Sequence, residues 1–168
     1  FRDVAFTYLK AYDRYGWDNV AETYWGMLQL DGTPVPDQPK GSGYDAYAPY
    51  GHVNVWRTTM YSYEFTLSAA QSAISAYLVT VDEGRPDAEL LRIARRWGGV
   101  VQRAMPPHTG RRWKAELETA MPRVAETSGA YAEDYGRAIS LFVHLYRATD
   151  EQRYLGLAKD LAQEAVDK

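Results

Sequence analysis

The feature that most constrains the fold is an internal repeat. The stretches AISAYLVTVDEGRPDAELLRIARRW, from Ala73, and AISLFVHLYRATDEQRYLGLAKDLA, from Ala138, begin 65 residues apart and share the order helix, tight loop, helix. In each stretch apolar residues recur with the three-and-four spacing of one helix face. Such hairpins must bury their apolar faces against neighbouring hairpins. The sequence therefore predicts an all-α chain built from antiparallel helical hairpins.

The same apolar spacing predicts six helices in the whole chain. They are expected over residues 1–15, 61–81, 90–104, 113–121 and 131–146, with a last helix that reaches Val166. Gly16 and Gly84 end the first and second helices. Asp87 is expected to be the N-cap or a first-turn acid of the third helix, and Asp150 is expected to cap the last helix. The predicted buried face of the first helix consists of Phe1, Ala5, Tyr8, Leu9 and Tyr12.

A small β-hairpin insertion is expected between the first and second helices. The stretch ETYWGMLQLDGTPVP has two short β-prone runs on either side of Asp31 and Gly32. This dipeptide is typical of a type I′ turn, in which both central residues need positive φ. The segment that follows, DQPKGSGYDAYAPYGHV, is too long for a simple connection, and loops of this kind are often functional.

Charge and composition exclude several classes of protein. The chain has 19 Lys and Arg against 22 Asp and Glu, so it lacks the excess of positive charge that binds nucleic acid. Its apolar stretches are far shorter than the roughly 20 residues of a membrane-spanning helix. The absence of cysteine excludes disulfides and thiolate chemistry. We therefore expect neither a nucleic-acid partner nor a membrane partner.

Both ends of the sequence lie inside amphipathic helical patterns, without a start or stop signal. We expect residues 1–168 to form a single domain that is part of a larger helical domain. The rest of the parent chain would then cover the apolar faces that these hairpins leave open.

Three stretches resemble the (α/α) toroid domains of polysaccharide lyases and related glycosidases, pectate-lyase-like toroids above all. They are YAEDYGRAISLFVHLYRATDEQRYLGLAKDLA, ETYWGMLQLDGTPV and RAMPPHTGRRW. The resemblance implies a partial ring, since the chain would cover less than half of such a toroid. It also implies an acidic polysaccharide or oligosaccharide substrate in a groove at the rim, and a secreted or periplasmic location.

The resemblance favours a pectate or uronate lyase that acts by β-elimination. Two alternatives are a non-catalytic helical-repeat module that binds carbohydrate or protein, and a glycoside hydrolase of the same fold. A lyase requires an Arg and a Tyr or His in one cleft, whereas a hydrolase requires two facing carboxylates. A binding module requires aromatic residues only.

Aromatic residues crowd the expected rim, between Tyr44 and Glu64. The chain contains 14 Tyr and 5 Trp, and flat aromatic rings suit the apolar faces of sugars. Because Tyr61 and Tyr63 are two residues apart on a helix, they cannot both face the core. The alternative is that these rings pack the loop onto the ring of helices. The candidate substrate-binding residues of this region are Tyr44, Tyr47, Tyr50 and Trp56, together with Arg112 from a later loop.

β-Elimination needs a cation at the uronate carboxylate, a base for the C5 proton and an acid for the leaving oxygen. Arg57, Arg111 or Arg112 can supply the cation, and a Tyr or His can supply the base. The candidate catalytic residues are Arg57, Tyr61, Tyr63, Glu64 and Arg111.

The resemblance also implies a divalent metal, Ca²⁺ or Mn²⁺, because pectate-lyase toroids can hold one with two His and one Glu. His52, Glu64 and His108 are the one set of residues here that could form such a site. Their spacing is not a motif, and Pro107 stands where an Arg is expected before His108. The alternative is that His108 bonds within its own loop.

A second candidate substrate-binding set is Glu133, Asp134 and Tyr135, at the start of a predicted helix. One of the two acids could bind sugar hydroxyls or act as a general acid, with Glu64 as the second carboxylate of a hydrolase. The alternative is that the acids only stabilise the N-terminus of the helix.

Overall fold

The computed structural model describes residues 1–36, 51–53, 62–104 and 132–167. In the helices that begin at 62 and 132, it describes side chains from Thr66 and Tyr135 onward. The elements are α1 (Arg2–Gly16), β1 (Trp17–Asp18), β2 (Thr23–Tyr24), α2 (Ser62–Asp82), α3 (Ala88–Ala104), α4 (Ala132–Thr149) and α5 (Gln152–Asp167). The described part is mostly helical, with one antiparallel pair of short strands, and the all-α prediction is confirmed. No described helix is both long and apolar enough to span a membrane. The helix predicted over 113–121 lies outside the described residues.

The two halves of the sequence repeat form two helical hairpins. α2 packs along α3, α4 packs along α5, and the hairpins meet where α2 and α3 contact α4. Ala73 and Ala138, which are equivalent in the repeat, are both fully buried. The core between the helices contains Leu67, Ile74, Leu90, Ile93, Val100, Val101, Leu141, Phe142 and Leu145. The repeat therefore corresponds to a real structural unit.

Asp87 caps α3, as the sequence predicts. Its Oδ1 accepts hydrogen bonds from the backbone N–H groups of Glu89 and Leu90, at 2.9 and 3.2 Å. The prediction for Asp150 is wrong. Asp150 has a φ of +56°, and its N–H donates to the carbonyl of Tyr146 at 2.7 Å. Asp150 therefore ends α4 with a left-handed residue, and α5 begins two residues later.

The buried face of α1 differs from the predicted one. Leu9 and Tyr12 pack against the core, but Phe1, Ala5 and Tyr8 are exposed. α1 packs on α3 and precedes β1 directly, and Asp13 and Gly16 complete its buried face. Phe6 also packs against the core, so the buried face is the predicted one rotated about the helix axis, and the tertiary neighbours of α1 set this rotation.

The predicted turn at Asp31 and Gly32 is present, but its type differs. An antiparallel bridge joins Leu28 to Pro34, and Gln29 donates to the carbonyl of Thr33 at 2.8 Å. Within this described loop, positive φ occurs at Gly32 alone, at +86°. A type I′ turn would need positive φ at Asp31 as well. The turn is therefore a three-residue loop with one left-handed glycine. β2 lies in the first run of the predicted hairpin, but it pairs with β1, which precedes that stretch.

Candidate functional site

Most of the predicted site residues fall where the structure does not describe side chains. Tyr63 and Glu64 are in the first turn of α2, and Glu133 and Asp134 are in the first turn of α4, where the backbone alone is described. The roles proposed for them stay predictions. The residues that lie wholly outside the described part are Tyr44, Tyr47, Tyr50, Trp56, Arg57, Tyr61, His108, Arg111 and Arg112.

The structure describes one short segment in the middle of the predicted rim, residues 51–53. Its backbone runs beside β2, with Gly26 donating to the carbonyl of Gly51 at 2.7 Å and Val53 donating to the carbonyl of Tyr24 at 2.9 Å. An antiparallel bridge pairs His52 with Trp25. The segment is therefore attached to the backbone next to β2 by one isolated bridge, and this arrangement brings His52 close to Asp18 and Trp25.

His52 contacts two side chains of the β1–β2 region, those of Asp18 and Trp25. Its Nε2 lies 3.0 Å from Oδ2 of Asp18, and its ring centroid lies 3.9 Å from that of Trp25. The His52 side chain is 22% exposed, so the ring is largely covered but still accessible. An imidazole, a carboxylate and an indole thus form one cluster, which we call the His52 cluster.

Asp18 is held in place by its own turn. Its Oδ1 accepts hydrogen bonds from the backbone N–H groups of Val20 and Ala21, at 2.8 and 3.1 Å. The bond from Ala21, then that from His52, then that from Val20 hold the pKa of Asp18 below its usual value. The carboxylate is therefore ionised at neutral pH and accepts hydrogen bonds only.

A second polar cluster, which the sequence did not suggest, joins α1 to α3 around Asp13. Asp13 is 3% exposed, and its Oδ2 lies 2.7 Å from Nη2 of Arg92 and 3.0 Å from Nη1 of Arg96. The hydroxyl of Tyr24 donates to the Oδ1 atom of Asp13 at 2.5 Å. Arg96 also lies over the ring of Trp17, 4.6 Å from its centroid. We call these five residues the Asp13 cluster.

The two clusters use opposite sides of the β1 strand. Successive residues of a strand point to opposite faces, so Trp17 faces Arg96 of α3 while Asp18 faces His52. Burial raises the pKa of Tyr12, which stacks on Tyr24, to about 12. Burial and the Asp13 carboxylate raise the pKa of Tyr24 still further. The Asp13 side therefore holds neutral tyrosines and a closed ion-pair network, and the His52 side holds the partly exposed imidazole.

The predicted metal site lies mostly outside the described residues. No group of three His, Asp or Glu side chains within the described ranges could hold a metal ion. Of the predicted ligands, only the side chain of His52 is described, and its Nε2 is bonded to Asp18.

Tyr135 lies between α4 and α5. It is 4% exposed, and its hydroxyl donates to Oε1 of Glu164 at 2.9 Å. These contacts are those of a side chain that joins two helices, and the expected contact with sugar stays a prediction.

Sequence reasoning missed Asp18 and Trp25 as partners of His52. The local sequence could predict only that Asp18 forms a turn with the backbone of Val20 and Ala21. No local signal connects Asp18 to a histidine 34 residues later.

Comparison of the chain with protein-family models, with curated proteins and with solved structures finds no match.

Proposed function

We propose that this chain is part of a carbohydrate-active enzyme, a pectate or uronate lyase that cleaves acidic polysaccharide by β-elimination. The observation that carries the proposal is the His52 cluster, a partly exposed imidazole packed on the ring of Trp25 inside the predicted rim. An aromatic face suits the apolar face of a sugar ring, and an imidazole can accept a proton near neutral pH. The resemblance of the sequence to (α/α) toroid lyases points to the same chemistry.

In this proposal His52 accepts the C5 proton of the uronate. The electrons of the C5–H bond form the C4=C5 double bond, and the C4–O bond breaks. The leaving oxygen takes up a proton from an acid, for which Tyr61 and Tyr63 are the candidates. A cation, Arg57 or Arg111, neutralises the C6 carboxylate, which makes the C5 proton more acidic.

The two repeated hairpins support a toroid as the complete fold. α2–α3 and α4–α5 are two described hairpins that pack side by side, as in an array of helical repeats. We propose that the chain contributes these hairpins to a larger ring, at the rim of which the β1–β2 pair and residues 51–53 lie. A secreted or periplasmic location belongs to the same proposal.

The proposal predicts that His52→Gln abolishes lyase activity. The purified full-length parent protein would be given polygalacturonate, alginate and glycosaminoglycans, with and without Ca²⁺ or Mn²⁺, and the ultraviolet absorbance of the unsaturated uronate would be followed. We expect His52→Gln to lower kcat about 10²- to 10⁴-fold, the usual contribution of a general base. The matched control is His144→Gln on α4, where Nδ1 of His144 lies 3.4 Å from the hydroxyl of Ser140, and its activity should be unchanged.

Other outcomes would contradict the lyase. Reducing sugar released without the unsaturated product would indicate a hydrolase. Binding of these polymers without any cleavage would indicate a carbohydrate-binding module.

A further inference from the structure

We infer that Asp18 is a positioning residue for His52: it holds the proton on Nε2 and so makes Nδ1 the proton-accepting nitrogen. The inference rests on the proposed function, in which His52 removes the C5 proton. It assigns a role to a residue outside the predicted rim, and it specifies which of the two imidazole nitrogens reacts.

The first step of the argument is that the two oxygens of Asp18 have separate partners. Oδ1 accepts from the backbone N–H groups of Val20 and Ala21, and Oδ2 lies 3.0 Å from Nε2 of His52. The turn therefore sets the direction in which Oδ2 points. Because an ionised carboxylate can only accept hydrogen bonds, Nε2 must carry the hydrogen, and Nδ1 of the neutral ring must be the acceptor.

The second step is that Trp25 also holds the imidazole in place. The ring of Trp25 lies 3.9 Å away at an interplanar angle of 32°, and the bridge between Trp25 and His52 fixes the backbone. A ring flip would break the bond to Asp18. Among the described residues, no hydrogen bond to Nδ1 accompanies these contacts, and the His52 side chain is 22% exposed.

The third step concerns charge. When Nδ1 takes up the C5 proton, the imidazole becomes positively charged, and the carboxylate of Asp18 is already hydrogen-bonded to it. The charge therefore develops next to a fixed opposite charge, which favours proton transfer without reorganisation of the site. The same geometry could also serve only to attach residues 51–53 to the hairpin, so the test must separate positioning from attachment.

The variant Asp18→Asn separates the two roles. Two backbone N–H groups require an oxygen at the Oδ1 position, so the amide introduced by this substitution must place its NH₂ group toward His52. The NH₂ group donates to Nε2, and His52 must then carry its hydrogen on Nδ1. The substitution therefore keeps the hydrogen bond to His52 and the turn at Val20 and Ala21, but it moves the ring hydrogen from Nε2 to Nδ1.

The measurement is ¹⁵N NMR of the His52 ring in the full chain, together with kcat and KM on polygalacturonate. We expect the Nε2–H tautomer in the wild type and the Nδ1–H tautomer in Asp18→Asn, with the melting temperature unchanged. The kcat should fall about 10²- to 10⁴-fold while KM changes little, because a misplaced proton affects the reaction more than substrate binding.

The matched control is Asp31→Asn. Asp31 forms the same kind of turn, with Oδ1 accepting from the N–H of Thr33 at 2.9 Å, and no histidine contact accompanies it among the described residues. Its tautomer spectrum and kcat should match those of the wild type.

The outcomes distinguish failure of the inference from failure of the proposed function. An Nδ1–H tautomer in the wild type, or an unchanged tautomer in Asp18→Asn, would overturn the role of Asp18 whatever the activity. Full activity in Asp18→Asn with an inactive His52→Gln would overturn it and leave the lyase standing. A reversed tautomer in a protein that has no lyase activity would support the positioning of His52 and would refute the proposed lyase.

Discussion

Asp13 shows how a single buried charge can connect distant parts of this chain. Its carboxylate receives hydrogen bonds from Arg92, Arg96 and Tyr24, and so joins α1, α3 and β2. The two guanidinium groups are 45% and 31% exposed, so they could be rehydrated if the carboxylate were removed. The hydroxyl of Tyr24 is buried, so water could not replace the carboxylate as its hydrogen-bond acceptor.

Asp13→Ala should therefore destabilise the fold. We expect the free energy of unfolding to fall by about 3 kcal/mol, because a buried ion pair is broken and the Tyr24 hydroxyl loses its acceptor. Urea denaturation followed by circular dichroism would measure the change. Asp160→Ala, on the exposed side of α5, is the control and should stay within about 0.5 kcal/mol of the wild type. An equal effect of both substitutions would contradict the role assigned to Asp13.

At the scale of single elements, the start of α3 is the best-defined helix end. Asp87 caps the helix through its Oδ1, and its Oδ2 lies 2.6 Å from Nζ of Lys10 on α1. The bond with Lys10 is the largest cause that lowers the pKa of Asp87, and the bond with Asp87 likewise raises the pKa of Lys10. The side chain of Asp87 thus both caps α3 and joins α3 to α1.

Asp87→Ala should lower the free energy of unfolding by about 1 kcal/mol, the usual cost of losing an N-cap. Asp87→Asn should keep the cap and lose only the ion pair, so it should cost less. Because the folded pKa of Asp87 is depressed, its contribution is present above about pH 4 and is lost as the pH falls further. Because the folded pKa of Lys10 is raised, the pair is lost again above about pH 10. Urea denaturation at several pH values tests this window, and a wild-type advantage over Asp87→Asn that persists at pH 2 would contradict it.

At the scale of the whole molecule, α3 of one hairpin closely approaches α4 of the other. A Cβ atom added at Gly98 of α3 would lie 2.6 Å from Cδ1 of Leu145, which is fully buried on α4. The absence of a side chain at Gly98 lets the helices approach this closely. The contact joins one half of the repeat to the other.

Gly98→Ala should therefore destabilise the protein, although alanine favours helix. We expect a net loss of about 1 to 2 kcal/mol, since overpacking outweighs the roughly 1 kcal/mol that alanine contributes in a helix. Gly156→Ala in α5 is the control, because nothing described lies within 4 Å of a Cβ added there, and it should raise the melting temperature. A rise in the melting temperature of Gly98→Ala would contradict the close packing of α3 and α4.

The sequence by itself determined those features that depend on neighbouring residues. The helices of the repeat, the stop at Gly84, the cap at Asp87 and the turn near Gly32 are predictable because apolar periodicity and turn chemistry act over a few residues. The prediction for Asp150 is wrong because an aspartate between two helices can either begin the second or end the first, and only its positive φ distinguishes them.

Tertiary structure alone decided which faces are covered and which polar residues meet. The apolar residues of α1 cover more than one face, and packing on α3 partly buries Phe6 with Leu9 and Tyr12 while Phe1, Ala5 and Tyr8 stay exposed. Asp18 and His52 are 34 residues apart, and Asp13 and Arg92 are 79 apart. Local patterns cannot encode such pairings, because they arise only when hydrophobic packing brings separate elements together.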